Sequence, residues 1–156
     1  MSPEAQALTD TLSAEHATAS QLLACLHSEH EALKQLSAEA LETAVARKIA
    51  LLAEMDGHAR KRTQLLNQLG FGSSTEDIQT YIDQNAPSVA PLWRQLVELA
   101  AELDAQNQIN GSMIQLSQQR TQMALDMVAR PEDRSRTYGK QGYAEPDYSS
   151  FTSVKA

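Results

Sequence analysis

The chain has 156 residues, a formal charge of −7 and 42% hydrophobic residues, of which only seven are aromatic. That length suits a single domain able to bury a core without disulfides or metals, and six Gly and five Pro are too few for the turns of a β-sandwich or barrel. The acidic balance argues against nucleic acid or anionic lipid as main partners, no apolar run approaches the ~18 residues of a membrane span, and a single cysteine, Cys25, excludes an internal disulfide.

The apolar mass is mostly Leu and Ala, the strongest helix formers, so a nearly all-helical, acidic protein of a reducing compartment is expected, without a cleaved signal. Ser2 is a suitable N-cap for a first helix, with Pro3 and Glu4 in its first turn. Leu8, Leu12, Ala19, Leu22, Leu26 and Leu33 follow at three- and four-residue steps or multiples of them, one apolar stripe. Ser37 marks the expected boundary, with Leu36 and Leu41 spaced as a hydrophobic staple. One helix running straight through Leu36 is the alternative. A second helix then carries Val45, Ile49, Leu52, Met55, Ala59, Arg62, Leu66 and Leu69 to Gly70, a natural stop.

After residues 70–74, Ser73 and Glu76 have capping-box spacing for a short helix with Ile78, Tyr81 and Ile82 on its apolar face. Ser88 is the expected cap of a third long helix, with Pro91 tolerated in its first turn. The helices are expected near 2–36, 37–69, 74–84 and 88–129. At 1.5 Å per residue the second and third long helices would measure about 50 and 60 Å. Such rods need one another, so the predicted architecture is all-α: an elongated antiparallel three-helix bundle or coiled coil with a short connecting helix. If the third long helix outruns the others, part of its apolar surface stays uncovered.

That helix changes character halfway. Leu92, Leu96, Leu99 and Leu103 form a regular stripe; Asn107, Asn110 and Gly111 then interrupt the helical pattern at a cost of roughly 0.6–1 kcal/mol each. Three readings stay open: a break at Gly111, a close helix crossing, or a polar notch aimed at a partner. Beyond it run Ile109, Met113, Leu116, Met123 and Met127, with a second line at Ile114, Leu125 and Val128. Met adapts to several shapes, so this stretch is either ordinary core or a groove for an amphipathic partner helix.

The segment 130–156 is different again. Five Lys/Arg against four Asp/Glu make it +1, leaving −8 for the rest, and it holds Tyr138, Tyr143, Tyr148 and Phe151. With no helical periodicity it is expected to be a flexible tail, its aromatics serving as binding hot spots or packing back on the bundle.

No catalytic constellation stands out. None of His16, His27, His30 and His58 follows a Glu by three residues, as a di-iron bundle site requires. His27 and His30 sit one turn apart but read as polar-face residues, and Cys25 reads as a small packing residue. Phosphate loops, nucleophile elbows and paired-Cys spacings are missing from the sequence. No enzyme activity, cofactor or metal is expected.

Four stretches carry a family resemblance: Lys48-Ile49-Ala50-Leu51-Leu52; Arg62-Thr63-Gln64-Leu65-Leu66 leading to Gly70-Phe71; Asn107-Gln108-Ile109-Asn110-Gly111; and Tyr138-Gly139-Lys140-Gln141-Gly142. Together they resemble the flagellar export chaperone FlgN family. The resemblance implies a cytosolic chaperone of the flagellar type III export system that holds the C-terminal helical segments of the hook–filament junction proteins FlgK and FlgL. It would place Asn107, Asn110, Gly111, Met113, Ile114, Leu116, Met123 and Met127 on the cargo-facing part of the third long helix. It would also assign Tyr138 and Gly139 to contact with the cytosolic domain of the export gate protein FlhA. A coiled-coil scaffold self-associating through the same stripe is the competing reading.

Overall fold

A computed structural model describes residues 1–129. These form α1 (Pro3–Lys34), α2 (Ala38–Gln68), α3 (Thr75–Asn85), a 3₁₀ turn (Pro87–Val89) and α4 (Ala90–Val128), with no strand among the described residues. The segment 130–156, including Tyr138 and Gly139, lies outside them.

Local chemistry sets most of the boundaries. The Ser2 side chain accepts a hydrogen bond from the Ala5 N–H at 3.1 Å and starts α1. The chain does break at Ser37, whose hydroxyl accepts from the Ala40 N–H at 3.3 Å and starts α2. Between them is a Schellman stop: Ser37 N–H donates to the Ala32 carbonyl at 3.0 Å and Leu36 N–H to Leu33 at 3.3 Å. The residue in the left-handed conformation is Leu36, at φ 55°. It is 81% exposed, so the staple expected between Leu36 and Leu41 is not made. α2 ends in the same motif, with Phe71 N–H on the Leu66 carbonyl at 2.9 Å, but there Gly70 takes the left-handed position at φ 81°.

Two caps differ from expectation. The capping box of α3 pairs Ser74 with Asp77, one residue beyond the Ser73–Glu76 pair, because only that register faces both side chains to the freed backbone groups. Ser88 does not cap α4: the 3₁₀ turn leads straight in through Val89, with no side-chain cap. Across Gly111 α4 is continuous, so packing outweighs the propensity cost of Asn107, Asn110 and Gly111 and no break occurs there.

Side-chain pairs fix the topology. Glu15 faces Arg62, Thr18 faces His58 and Glu29 faces Lys48, so α1 and α2 run antiparallel. Arg62 also lies against Trp93, and Glu29 meets Asn110, so α4 runs back parallel to α1. The long helices go up, down and up, with α1 packed along both others. α3 contributes Ile78, Tyr81 and Ile82 to the core, with Phe71 edge-on to Tyr81 at 5.1 Å. Burial, and then the charge of Glu4 at the start of α1, push the Tyr81 hydroxyl pKa upward.

The buried line of α2 is Ala44, Lys48, Leu51, Met55 and Leu66, one residue out of phase with the predicted Val45, Ile49 and Leu52. Ile49 is 60% exposed. A lysine occupies the place that the apolar pattern gave to its neighbours.

Candidate partner-docking face

The inner side of α4 contains two polar layers. In the first, the guanidinium of Arg62 pairs with the Glu15 carboxylate and lies 5.8 Å from the Trp93 ring centroid, a cation–π distance. In the second, Lys48 Nζ lies 3.4 Å from both Glu29 carboxylate oxygens and donates to Asn107 Oδ1 at 2.7 Å. Asn110 Nδ2 donates to Glu29 Oε1 and to the Leu26 carbonyl, both at 2.8 Å. The layers repeat: Glu15 and Glu29, Arg62 and Lys48, and Trp93 and Asn107 are each separated by 14 residues, two heptads, on their own helix. Sliding α4 by one heptad would replace Asn107 and Asn110 opposite Lys48 and Glu29 by Ala100 and Leu103 or by Ile114 and Ser117, and so would break this hydrogen-bonded layer. The layers therefore fix the register, the best attested use of buried ionic groups.

This arrangement corrects the placing of Asn107 and Asn110 on a surface open to a partner. They are 1% and 0% exposed, and their amides are turned to Lys48 and Glu29 rather than outward. Neither Glu15, Glu29 nor Lys48 is singled out by the apolar-stripe reading. The available signal was the heptad line Leu8, Glu15, Leu22, Glu29, where carboxylates alternate with leucines on a face that must be buried.

Beyond the second layer α4 leaves the bundle. Asn110 is its last buried residue. α1 ends at Lys34, five residues past Glu29, so by the parallel register α4 loses its neighbour near residue 115. About 13 residues, some 20 Å of helix, project past the α1–α2 turn. Gly111, Met113 and Ile114 at the root are half-buried. Exposure then runs from 47% at Leu116 through 64% at Met123 to 78% at Met127.

Two apolar lines cover this projection. Ile114, Leu125 and Val128 continue the seam that faces α1 and α2 further back. Ile109, Met113, Leu116, Met123 and Met127 form a second line, roughly 120° around the helix. It begins alongside the bundle, where Ile109 is already 48% exposed. Isolated exposed leucines are ordinary; a continuous exposed stripe at coiled-coil spacing is the mark of an interaction surface.

The other groups singled out in the sequence are placed differently. The Cys25 thiol is buried and donates to the Ala44 carbonyl at 3.2 Å; burial, and secondarily the Glu29 charge, raise its pKa, which disfavours the reactive thiolate. His27 is exposed and His30 half-buried, and among the described residues no three His, Cys, Asp or Glu side chains converge as a metal site. No helix among the described residues is long and apolar enough to cross a membrane.

Fold and surface together define a class: an all-α bundle whose last helix extends an apolar stripe that no other described residue covers. The chain belongs to the FlgN protein family, whose model matches residues 1–146. This is a family of flagellar export chaperones and not of enzymes. No curated protein and no solved structure shows significant similarity to the chain.

Proposed function

We propose that the chain acts in the cytoplasm as an export chaperone for the hook–filament junction proteins FlgK and FlgL, receiving an amphipathic C-terminal helical segment of either on the projecting part of α4. The observation that carries this reading is the exposed stripe of Leu116, Met123 and Met127 on a helix packed into the bundle at its root. Amphipathic segments associate through their apolar faces when free, and a helix lying along this stripe would cover both faces at once. Met113, Ile114, Leu116, Met123 and Met127 would make the contact. Gly111, without a side chain, would let the partner approach at the root, and Asn107 and Asn110 would act from behind by holding α4 in register. The segment 130–156 would carry the second contact through Tyr138 and Gly139, to the cytosolic domain of the export gate FlhA. One tethered molecule would then link cargo and gate.

Titration calorimetry of the full chain against C-terminal segments of FlgK and FlgL tests the proposal. The triple variant L116S/M123S/M127S should lose cargo binding while its helicity and unfolding midpoint are retained, and Tyr138→Ala should lose FlhA binding and keep cargo. A triple variant that binds cargo like the wild type refutes the placement on α4. Light scattering showing a tight dimer that must dissociate before cargo binds would favour the self-associating scaffold.

A further inference from the structure

The exposed line on α4 contains one position that is not apolar. Ile109, Met113, Leu116, Arg120, Met123 and Met127 follow one another at steps of four, three, four, three and four residues, the spacing of a coiled-coil seam. Arg120 sits in the middle of that seam. It is also the single ionisable side chain in residues 105–125, a stretch otherwise made of Gln, Asn, Ser, Thr and apolar residues.

On a helix surface a carboxylate three or four residues away is the one that can pair with an exposed arginine. Arg120 has Leu116, Ser117, Met123 and Ala124 at those positions. Among the described residues Lys34, Lys48, Arg60 and Arg62 each meet an acidic side chain; Arg120, like Arg47, Lys61 and Arg94, meets none, and it alone of these lies in the exposed apolar line of α4. A guanidinium is costly to cover with apolar surface unless a carboxylate comes with the cover, and a bidentate carboxylate fits its planar fork.

We infer that Arg120 reads charge on the docking face: the partner is an amphipathic helix of about five turns carrying an Asp or Glu within its own apolar seam, opposite Arg120. The inference rests on the reading of this face as a helix-docking surface and specifies the partner's chemistry there. The acidic body of the chain, −8 over residues 1–129, disfavours a generally acidic helix. The carboxylate is therefore a local feature that sets the register of the partner along α4, as a single polar seam residue does in coiled coils.

The test uses the full chain and three synthetic 28-residue helical peptides with Leu and Ile in the seam, uncharged elsewhere, and Glu, Gln or Lys at one central seam position. Binding is followed by fluorescence anisotropy at low and high salt. The Glu peptide should bind about tenfold more tightly than the Lys peptide, the difference shrinking in high salt, and Arg120→Glu should reverse the order. M123D/M127D should abolish binding of all three. Equal affinities for the three peptides, unchanged by Arg120→Glu, would overturn the charge-reading role and leave the docking face intact. If instead Arg120→Leu makes the chain dimerise and tightens every peptide, the arginine serves to keep two copies apart, and the inference fails. Absence of binding by any peptide to the folded wild type would remove the docking face itself.

Discussion

The two halves of α4 share one helix and follow opposite rules. Residues 90–110 bury Trp93, Leu96, Leu99, Leu103, Asn107 and Asn110 against α1 and α2. Residues 111–128 are equally helical and just as rich in apolar side chains, yet none is buried. Helicity itself is not what separates them. What differs is the length of the neighbours: α1 and α2 turn at residues 35–37, and α4 does not. Substitutions in the first half should therefore be read in stability and substitutions in the second half in binding.

The largest expected effect lies in the second polar layer. Replacing Lys48 by Met leaves Glu29 buried without its cation and should cost about 3–5 kcal/mol in urea unfolding. The combined change E29L/K48M/N107L/N110L removes the whole layer and should come within ~2 kcal/mol of wild type or exceed it, since well-packed apolar groups often replace buried ion pairs without loss. If the single and combined variants are equally unstable, the layer is not acting as a unit.

The two Schellman stops provide the next contrast. Gly70 occupies the left-handed position of one, and an exposed Leu36 that of the other. Leu36→Gly should stabilise the protein by ~1 kcal/mol, because the side chain adds left-handed strain without making a packed contact. The mirror change, Gly70→Ala, should destabilise by about the same amount; nothing lies within 4 Å of the added Cβ, so that cost is conformational and not steric. Differential scanning calorimetry resolves both.

In the distal half, Leu116→Ser or Met123→Ser should shift stability by less than ~0.5 kcal/mol. A larger loss would mean that the projecting helix is covered by something within the same chain. At Cys25 the comparison is between pH regimes. Its folded pKa is raised by burial, so the stability linked to the protonated thiol is complete below the unfolded thiol's pKa and is lost as pH rises toward the folded value. Cys25→Ala should flatten that alkaline decline, measured as the urea midpoint against pH.

Much of this molecule was legible before any coordinates. The apolar spacing of Leu8 to Leu33 and of Leu92 to Leu103, and the turns at Ser37 and Gly70, place the helices to within a few residues, because caps and glycine stops act through neighbouring backbone groups. The apolar line from Ile109 to Met127 was legible too, but whether it was bundle core or an open groove was not. The interior of α2 was not. Lys48 and Glu29 went unmarked because a stripe is recognised by apolar side chains alone, and each becomes tolerable in the core only when the other is opposite.

The same reasoning separates what each level determined. Sequence alone determined that the chain is helical and, to within a few residues, where its helices start and stop; these depend on interactions a few residues apart. Only the tertiary structure decided that Asn107 and Asn110 face inward, that α1 is the central helix, that α4 outruns its neighbours, and that Arg120 meets no carboxylate among the described residues. Those facts depend on pairings tens of residues apart, such as Lys48 with Asn107, which no local pattern encodes. Length and acidity had excluded most classes of protein at the outset; the register of three helices decided which surface was left for a partner.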